Sequence, residues 1–386
     1  MPPESCNHTG KKVWIFSGES SGDMYGARLA EELRALESAV QIQGMGGTAM
    51  RQAGVDILVD STELGIVGFV EVLKHLSLFR AIFRQLVDQA AAKRPDVVVL
   101  IDYPGFNIRF ARKMEKLGIR VVYYVSPQVW AWGKRRIPEL GRLVTRMLVI
   151  FPFEQNVYDS VGLDTRFVGH PLIRILREQC PAEGQQRSDN LVLLLPGSRF
   201  SEVDRLTVPL VQTALRLHRF NPSYRFVIPA PREAIRDRVQ EHIDSMGNGE
   251  IQALPLSIEV GQTAELMATA AAGIAASGTV TVQAAILGLP IVVVYRLNPL
   301  TYWIGKHLVK VPYIAMANLV IGEELFEEYI QAEVQPDRLS TALQRILPGG
   351  ERRDAVITGM DRVVEALGGD KNASRTAAEA VLDVIK

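Results

Sequence analysis

DVVVLI, residues Asp96–Ile101, runs directly into DYPGFN, residues Asp102–Asn107. An apolar run of this length, rich in β-branched residues, is typical of a strand buried on both faces of a parallel sheet. Such a sheet needs helices on both faces. The stretch therefore predicts an α/β fold with Asp102 at the end of a buried strand.

The same alternation of short apolar runs and longer amphipathic runs continues on both sides of this strand, which indicates repeated βαβ units. Helices are predicted over Gly22–Leu36 and Glu202–Arg219, and the chain is mostly helical from Asp337 onward. The other predicted strands are Val13–Phe16, Val40–Gln43, Ile119–Val125, Met147–Phe151, Leu191–Leu195, Tyr224–Ile228, Ala271–Ala275 and Pro290–Val294.

The chain has 386 residues, too many for one ordinary core, and it divides after His170-Pro171. The polar segment Pro181–Asn190 is typical of a linker. We expect two doubly wound domains, residues 1–172 and 173–365, that face a cleft where ligands bind beyond the strand ends. Residues 366–386 are predicted to form a helix that packs back on the first domain or on a partner subunit.

Composition restricts the function classes. Lys plus Arg and Asp plus Glu both number 43, so no global field favours nucleic acid. The two cysteines, Cys6 and Cys180, lie far apart and predict no disulfide framework. The polar start before Val13 does not resemble a secretory signal, and no apolar run is long enough to span a bilayer. We expect a cytoplasmic protein that is still able to lie on a membrane surface.

Three glycine-containing turns each join a predicted strand to a predicted helix. In the first, Ser17–Gly26, Gly18 and Gly22 permit a tight turn, and a merely capped helix is slightly favoured over a ligand site. In the second, LPGSR, the backbone N–H groups near Ser198 and the Arg199 guanidinium suit a pyrophosphate. Here a ligand site is favoured over a simple cap.

The third turn is ASGT, in which Gly278 permits close approach and Ser277 and Thr279 offer hydroxyl and N–H groups to a phosphate. Gln283 follows one helical turn later on a compatible face. Two anion-competent turns in one domain suit a nucleotide diphosphate. No D-x-D pair occurs in the chain, so a leaving diphosphate would be neutralised by Arg, Lys and helix dipoles. No metal and no cofactor is predicted.

Two further features have two interpretations each. Asp102 suits a general base, and equally an ordinary turn residue before Pro104. The segment Gly65–Leu86 suits an interfacial helix, although a crossover helix packed on the sheet is favoured. Its apolar and basic residues that would meet a bilayer are Ile66, Phe69, Leu73, Lys74, Leu76 and Arg80.

Taken in order, the distinctive blocks of the chain resemble those of the lipid-A-disaccharide synthase family from Lys11 to about Asp383. These blocks read SGESSGDMYGA, ELGIVGFVEVL, IDYPGFN, YYVSPQVWAW, FPFE, FVGHPL, LLPGSR, ASGTVTVQAA and ANLVIGEELFEEYIQ. The resemblance implies a GT-B fold and an inverting, metal-independent glycosyl transfer. The donor would be UDP-2,3-diacylglucosamine, and the acceptor would be 2,3-diacylglucosamine 1-phosphate, also called lipid X. The family is peripheral to the inner membrane, which strengthens the membrane interpretation of Gly65–Leu86.

The resemblance also implies residue roles, carried over by motif position. Asp102 would be the general base, and Glu19, Ser21 and Gly22 would face the acceptor or the transferred sugar. The UDP-binding residues would be Ser198, Arg199, Ser277, Gly278, Thr279, Gln283 and Asn318. Gln283 stands where the family usually has a Glu that holds the ribose, so one charge-assisted bond is lost. A homodimer is left open.

Two alternatives remain at this point. A UDP-N-acetylglucosamine 2-epimerase shares the architecture, and fold alone does not separate it from a synthase. A bilobed sugar-binding protein without catalysis is the other. The YVSPQVWAW and ELGIVGFVEVL blocks favour the synthase.

Overall fold

The structure is a computed structural model that describes residues 10–61, 76–180, 186–247, 249–298, 302–303 and 311–386, without the side chains of residues 76–78 and 132. It divides into two compact units. The N-terminal unit comprises Met1–Pro171 and Lys371–Lys386, and the C-terminal unit comprises Leu172–Asp370.

The N-terminal unit is built on a parallel sheet of seven strands in the order β3-β2-β1-β4-β5-β6-β7. The strands are β1 (Lys12–Ser17), β2 (Gln41–Gly46), β3 (Asp56–Asp60), β4 (Val97–Ile101), β5 (Arg120–Tyr124), β6 (Arg146–Val149) and β7 (Thr165–Phe167). The order changes direction between β1 and β4, which makes the ends of these two strands the switch point where ligands bind in doubly wound sheets.

Helices cover both faces of this sheet. They are α1 (Ser20–Leu36), α2 (Thr48–Gln52), α3 (Leu76–Lys93), α4 (Pro104–Leu117), α5 (Val129–Trp132) and α6 (Ile137–Leu143), with 3-10 turns at Lys134–Arg136 and Pro152–Val161. All five residues of β4 are buried because helices lie on both sides. Trp14, Phe16, Phe110 and Tyr123 are among the large side chains of this core.

The C-terminal unit repeats the topology with six parallel strands in the order β10-β9-β8-β11-β12-β13. The strands are β8 (Leu191–Leu195), β9 (Arg225–Ala230), β10 (Leu256–Val260), β11 (Ala272–Ala276), β12 (Ile291–Tyr295) and β13 (Glu328–Ile330). The helices are α7 (Leu172–Gln179), α8 (Phe200–Phe220), α9 (Glu233–Ser245), α10 (Gly249–Gln252), α11 (Thr263–Thr269), α12 (Val280–Ile286), α13 (Met316–Ile321), α14 (Pro336–Ile346) and α15 (Arg353–Ala366). A 3-10 turn covers Gln331–Glu333. Here the switch point lies between β8 and β11.

The last helix, α16 (Ala373–Val384), belongs to the N-terminal unit although it follows the C-terminal one. Asn372 caps it by accepting from Arg375 N, and its Nδ2 donates to Glu32 Oε1 on α1 at 2.6 Å. The guanidinium of Arg146, at the start of β6, donates to Ala380 O at 2.7 Å and to Asp383 at 3.0 Å. Burying that cation against carbonyl and carboxylate groups ties α16 to the sheet.

The predicted α/β class and the nine predicted strands are confirmed, and the four strands that the sequence did not indicate are all edge strands. These are β3, β7, β10 and β13, each half-buried or exposed along its length. An edge strand has one unpaired side and lacks the continuous apolar run of a central strand.

The residues predicted to meet a membrane fall mostly outside the described part of the chain. Ile66, Phe69, Leu73 and Lys74 are among the residues not described; Leu76 begins α3, and Arg80 is exposed on it. No helix in the described ranges combines the length and the apolar character needed to cross a membrane.

Candidate active site

The turn after β4 holds two consecutive residues in the left-handed region, Asp102 at φ 44° and Tyr103 at φ 43°. Each such non-glycine residue costs on the order of 1 kcal/mol or more, so other contacts must impose the conformation. Asn107 Nδ2 donates to Asp102 O at 2.7 Å and to Ile101 O at 3.1 Å. The Tyr123 hydroxyl donates to Asp102 O at 2.6 Å. These bonds fix the turn, and with it the direction of the Asp102 side chain.

The environment of Asp102 makes its carboxylate a stronger base than usual. Burial and the charge of Glu19 raise its pKa to about 6, against a smaller lowering by the Tyr103 N–H. A carboxylate with this pKa is ionised at neutral pH and still accepts a proton readily. The structure therefore brings Asp102 and Glu19, at the ends of β4 and β1, into one electrostatic environment.

The three predicted sugar-contacting residues at the start of α1 are placed differently. Glu19 is exposed at the helix N-cap and Ser21 is half-buried. Gly22 is buried, and a Cβ there would lie 2.6 Å from Ser17 Oγ. The absence of a side chain at Gly22 thus serves the packing of α1 on β1. Direct contact with the acceptor or the transferred sugar stays a prediction for Glu19, Ser21 and Gly22.

The structure adds one acidic residue that sequence reasoning missed, Glu154 in the FPFE block. It is 1% exposed, and it accepts from Trp130 Nε1 at 3.1 Å and from Phe151 N at 3.3 Å. Burial raises its pKa to about 8 against these hydrogen bonds, with a further rise from Asp102. Glu154 is therefore mainly protonated at pH 7. An acid that ends an apolar FPF run was the signal that could have found it.

His170 lies near the same strand ends and is 3% exposed. Its ring is edge-on to Phe151 at 5.3 Å and to Tyr25 at 6.4 Å between centroids. Burial lowers its pKa to about 3, so the imidazole is neutral throughout the physiological range. It packs as a structural residue in this aromatic layer.

In the C-terminal unit, the LPGSR turn connects β8 to α8. Gly197 has φ 116°, and a Cβ there would lie 2.3 Å from Glu202 Oε2, so only glycine fits. The Glu202 carboxylate accepts from Ser198 N at 3.1 Å and Arg199 N at 3.3 Å. Arg199 is 76% exposed and donates to Glu202 at 3.0 Å. Its guanidinium is free to reach an anion by a change of rotamer.

The ASGT turn connects β11 to α12 at the same edge of the sheet. Ser277 Oγ donates to Ile314 O at 2.7 Å, which leaves the oxygen able to accept. Among the described residues, nothing lies within 4 Å of a Cβ built at Gly278, and Thr279 is exposed. Gln283 is half-buried one turn into α12. The turn is therefore open to a ligand on the side of Gly278.

Asn318, predicted to contact the nucleotide, is fully buried, and its amide bonds within the protein. Nδ2 donates to Phe326 O at 2.8 Å and to Glu328 Oε1 at 2.9 Å, and Oδ1 accepts from Phe326 N at 3.0 Å. A direct bond to a nucleotide would compete with these contacts. This geometry favours a role in shaping the site, and the predicted contact itself stays a prediction.

Within the described ranges, no group of three or more His, Cys, Asp and Glu side chains is arranged to hold a metal ion. The residues at the two switch points are instead suited to proton transfer in one unit and to anion binding in the other.

The fold is shared with solved structures of an epimerase and of a glycotransferase. The UDP-GlcNAc 2-epimerase from Neisseria meningitidis, solved bound to UDP-GlcNAc, superposes with a TM-score of 0.66 at 13% identity, covering 96% of this chain and 100% of that one. The glycotransferase of kitacinnamycin gives 0.65 at 16% identity, covering 98% and 100%. Identities this low show the fold alone, and the two doubly wound sheets confirm the predicted GT-B class.

Sequence comparison separates the alternatives that the fold leaves open. A family model described as lipid-A-disaccharide synthetase matches residues 13–382. The lipid-A-disaccharide synthase of Trichlorobacter lovleyi is 38% identical over 382 residues, which cover 97% of this chain and 98% of that protein. The synthase of Nitrosococcus oceani is 37% identical over 380 residues, with 97% and 96% covered. The chain therefore belongs to the lipid-A-disaccharide synthetase family and is a glycosyltransferase.

Proposed function

We propose that the protein transfers 2,3-diacylglucosamine from UDP-2,3-diacylglucosamine to the 6-hydroxyl of 2,3-diacylglucosamine 1-phosphate. The products are a β-1,6-linked acylated disaccharide 1-phosphate and UDP. Family membership supports the reaction class. The observation that carries the assignment of the base is Asp102, held on a strained turn at the switch point with its pKa raised to about 6.

The chemical step is a single displacement at the anomeric carbon of the donor. The acceptor 6-oxygen forms a bond to that carbon while the bond from the carbon to the UDP phosphate oxygen breaks. The hydroxyl proton passes to the Asp102 carboxylate, and the electron pair of the broken bond leaves with UDP. Attack from the face opposite UDP inverts the configuration. A positioned base of matched pKa contributes about 10²- to 10⁴-fold to such a step.

The leaving diphosphate needs stabilisation because negative charge develops on its bridging oxygen. Arg199 supplies a planar donor suited to two phosphate oxygens. The turn at Ser277, Gly278 and Thr279 supplies N–H and hydroxyl groups on its open side. The Glu202 carboxylate now bonded near Ser198 must give way to a phosphate that takes the same N–H groups.

Both substrates carry acyl chains, so we place the reaction at the inner face of the inner membrane. In this proposal the contact comes from Ile66, Phe69, Leu73, Lys74 and Leu76 of the Gly65–Leu86 segment. Arg80, exposed on α3, is available to an anionic headgroup, whereas Leu86 is buried in the core of the N-terminal unit. A homodimer is still left open.

The test is UDP release by the purified protein in mild detergent, with both lipids and with each lipid alone. We expect release only with both, together with a disaccharide phosphate in the mass spectrum. Turnover of UDP-N-acetylglucosamine without any lipid would favour an epimerase instead. UDP binding without turnover of any substrate would favour a sugar-binding protein.

A further inference from the structure

Glu328, the first residue of β13, has a carboxylate surrounded by amide donors. Oε1 accepts from Ala315 N at 2.8 Å and from Asn318 Nδ2 at 2.9 Å, and both oxygens accept from Ile314 N, at 3.1 and 2.9 Å. The side chain is half-buried. Burial raises its pKa, and these hydrogen bonds oppose the rise. One carboxylate thus holds the backbone before α13 and the first turn of α13.

The segment held by Glu328 is fixed at a second point by Asn318. The buried Asn318 amide spans α13 and the chain that precedes β13, through its bonds to both backbone groups of Phe326. Glu328 and Asn318 also bond to each other. The strand, the helix and the intervening turn are therefore held as one piece.

This piece touches the ASGT turn in two places. Ile314 O accepts from Ser277 Oγ at 2.7 Å. On α12, Thr281 Oγ1 accepts from Ala317 N at 3.4 Å and donates to Gly278 O at 2.9 Å. A displacement of Ile314–Asn318 would therefore move the hydroxyl of Ser277 and the carbonyl of Gly278.

The neighbouring residue Glu327 has different partners from Glu328, because its carboxylate forms ion pairs with arginines. Glu327 bonds to Arg345 at 2.6 Å and to Arg352, and it accepts from the Tyr329 hydroxyl at 2.9 Å. Those contacts join the residue before β13 to α14 and to the N-cap of α15. Adjacent acids of the same type thus serve different parts of the unit.

We propose that Glu328 is a positioning residue for the nucleotide diphosphate, which acts through Ile314 and Asn318 to set the ASGT turn. The inference deepens the proposed function, because it rests on UDP binding at Ser277, Gly278 and Thr279. Glu328 itself need not touch the ligand. The ligand class is a nucleoside diphosphate, recognised by the N–H and hydroxyl groups of the turn.

The first experiment measures UDP affinity by calorimetry for wild type, Glu328→Gln and Glu327→Gln. Glu328→Gln keeps the size of the side chain but turns an NH₂ group toward N–H donors. We expect its UDP Kd to rise about tenfold, as a lost buried acceptor commonly costs. The KM of the UDP-sugar should rise in parallel, while kcat and the KM of the acceptor lipid change little. Glu327→Gln should lower Tm but leave the UDP Kd unchanged.

A rescue experiment tests the bond between the two side chains. Asn318→Asp alone places a second carboxylate against Glu328 and should weaken UDP binding more than Glu328→Gln does. Combining Asn318→Asp with Glu328→Gln restores a donor facing an acceptor, and we expect part of the affinity to return. Thr281→Val, which removes the second link while keeping the volume, should raise the Kd by a smaller factor and covers the case in which the Glu328 variants do not fold.

The outcomes separate this proposal from the proposed function. If wild type binds UDP, but Glu328→Gln or Thr281→Val lowers Tm with no change in UDP Kd, the positioning role is overturned and Glu328 only stabilises the fold. If wild type binds no UDP, the assignment of the nucleotide site fails, and the positioning role fails with it. A selective rise in Kd with partial rescue by the double variant supports the proposal.

Discussion

The two switch points occupy the same place in two sheets of the same topology, and yet they carry opposite chemistry. At the end of β4 the chain supplies Asp102 on a strained turn with Glu19 nearby, and both groups are acidic. At the ends of β8 and β11 it supplies Arg199 and the open Ser277–Thr279 turn. The topology determines where a site forms, and the few residues after each strand determine whether that site is suited to accepting a proton or to binding an anion.

The difference in backbone is as informative as the difference in charge. Beyond Asp102 and Tyr103, Val125 after β5 also has a positive φ, of 65°, which is unfavourable for a β-branched residue. At the C-terminal switch point the positive φ belongs to Gly197, where it costs little. Strain that surrounding bonds must maintain is thus concentrated beside the proposed base.

The largest effect should come from Asp102→Asn, which removes the proposed base and leaves the residues of the C-terminal unit unchanged. We expect kcat to fall about 10²- to 10⁴-fold, because the acceptor proton loses its destination. UDP Kd, measured by calorimetry, should not change. The variant should also be more stable in urea unfolding by about 1–3 kcal/mol, since a carboxylate with a raised pKa is lost and asparagine tolerates positive φ. Unchanged turnover would refute the assignment of the base.

The second-largest effect should come from Arg199, at the switch point of the C-terminal unit. Arg199→Ala should raise the UDP Kd about 10- to 100-fold, because a charge-assisted contact with the diphosphate is lost. Arg199→Lys should recover only part, since a point charge replaces a bidentate fork. Arg205, which is half-buried on α8 and donates to Ser201 O, offers a control as Arg205→Ala. Equal losses for the two alanine variants would show a general charge effect instead.

The dependence of kcat/KM on pH tests the interaction between Asp102 and Glu19. The proposed base must be ionised to accept the proton, so kcat/KM should rise with pH through about 6. Because Glu19 raises that pKa, Glu19→Gln should move the acidic limb to lower pH. If the acidic limb of the profile does not move, Glu19 does not influence the ionisation of Asp102.

The free energy of unfolding should fall as pH rises, in the direction opposite to the change in activity. The folded-state pKa of Asp102 lies above its ordinary value, so the folded state binds more protons, and stability falls as pH rises toward about 6. The same argument applied to Glu154 extends the fall to about pH 8. Thermal unfolding of wild type, Asp102→Asn and Glu154→Gln across pH 5–9 measures both contributions. The decline should be shallower in each variant.

The smallest effect concerns Gln283. Gln283→Glu introduces the acid that the family resemblance implies at this position, and charge-assisted bonds to hydroxyls are about twice as strong as neutral ones. We expect a gain of roughly two- to fivefold in UDP affinity, with uridine affinity improved by a similar factor because the ribose is the partner. Weaker binding would show that Gln283 holds no ribose hydroxyl.

The sequence indicated the central strands of both sheets and none of the four edges. A central strand such as β4 is apolar at every position because helices cover both faces, and that pattern is visible in the letters VVVLI. An edge strand such as β13 has three half-buried residues, including Glu328. The strand β13 forms by pairing with β12, which requires the rest of the sheet, so no local sequence pattern predicts it.

By itself the sequence determined the α/β class, the positions of the two glycine-containing turns LPGSR and ASGT, and Asp102 at the end of a buried strand, because these depend on residues close together along the chain. Only the tertiary structure decided which acidic side chains interact and which side-chain amides are hydrogen-bonded within the protein. The raised pKa values of Asp102 and Glu154 come from burial beneath distant segments. The bonds of Asn318 to Phe326 and Glu328 likewise require α13 and β13 to meet. Burial and long-range hydrogen bonds exist only in the packed chain. The sequence gives the position of each residue along the chain, and the packed chain determines its pKa and its hydrogen bonds.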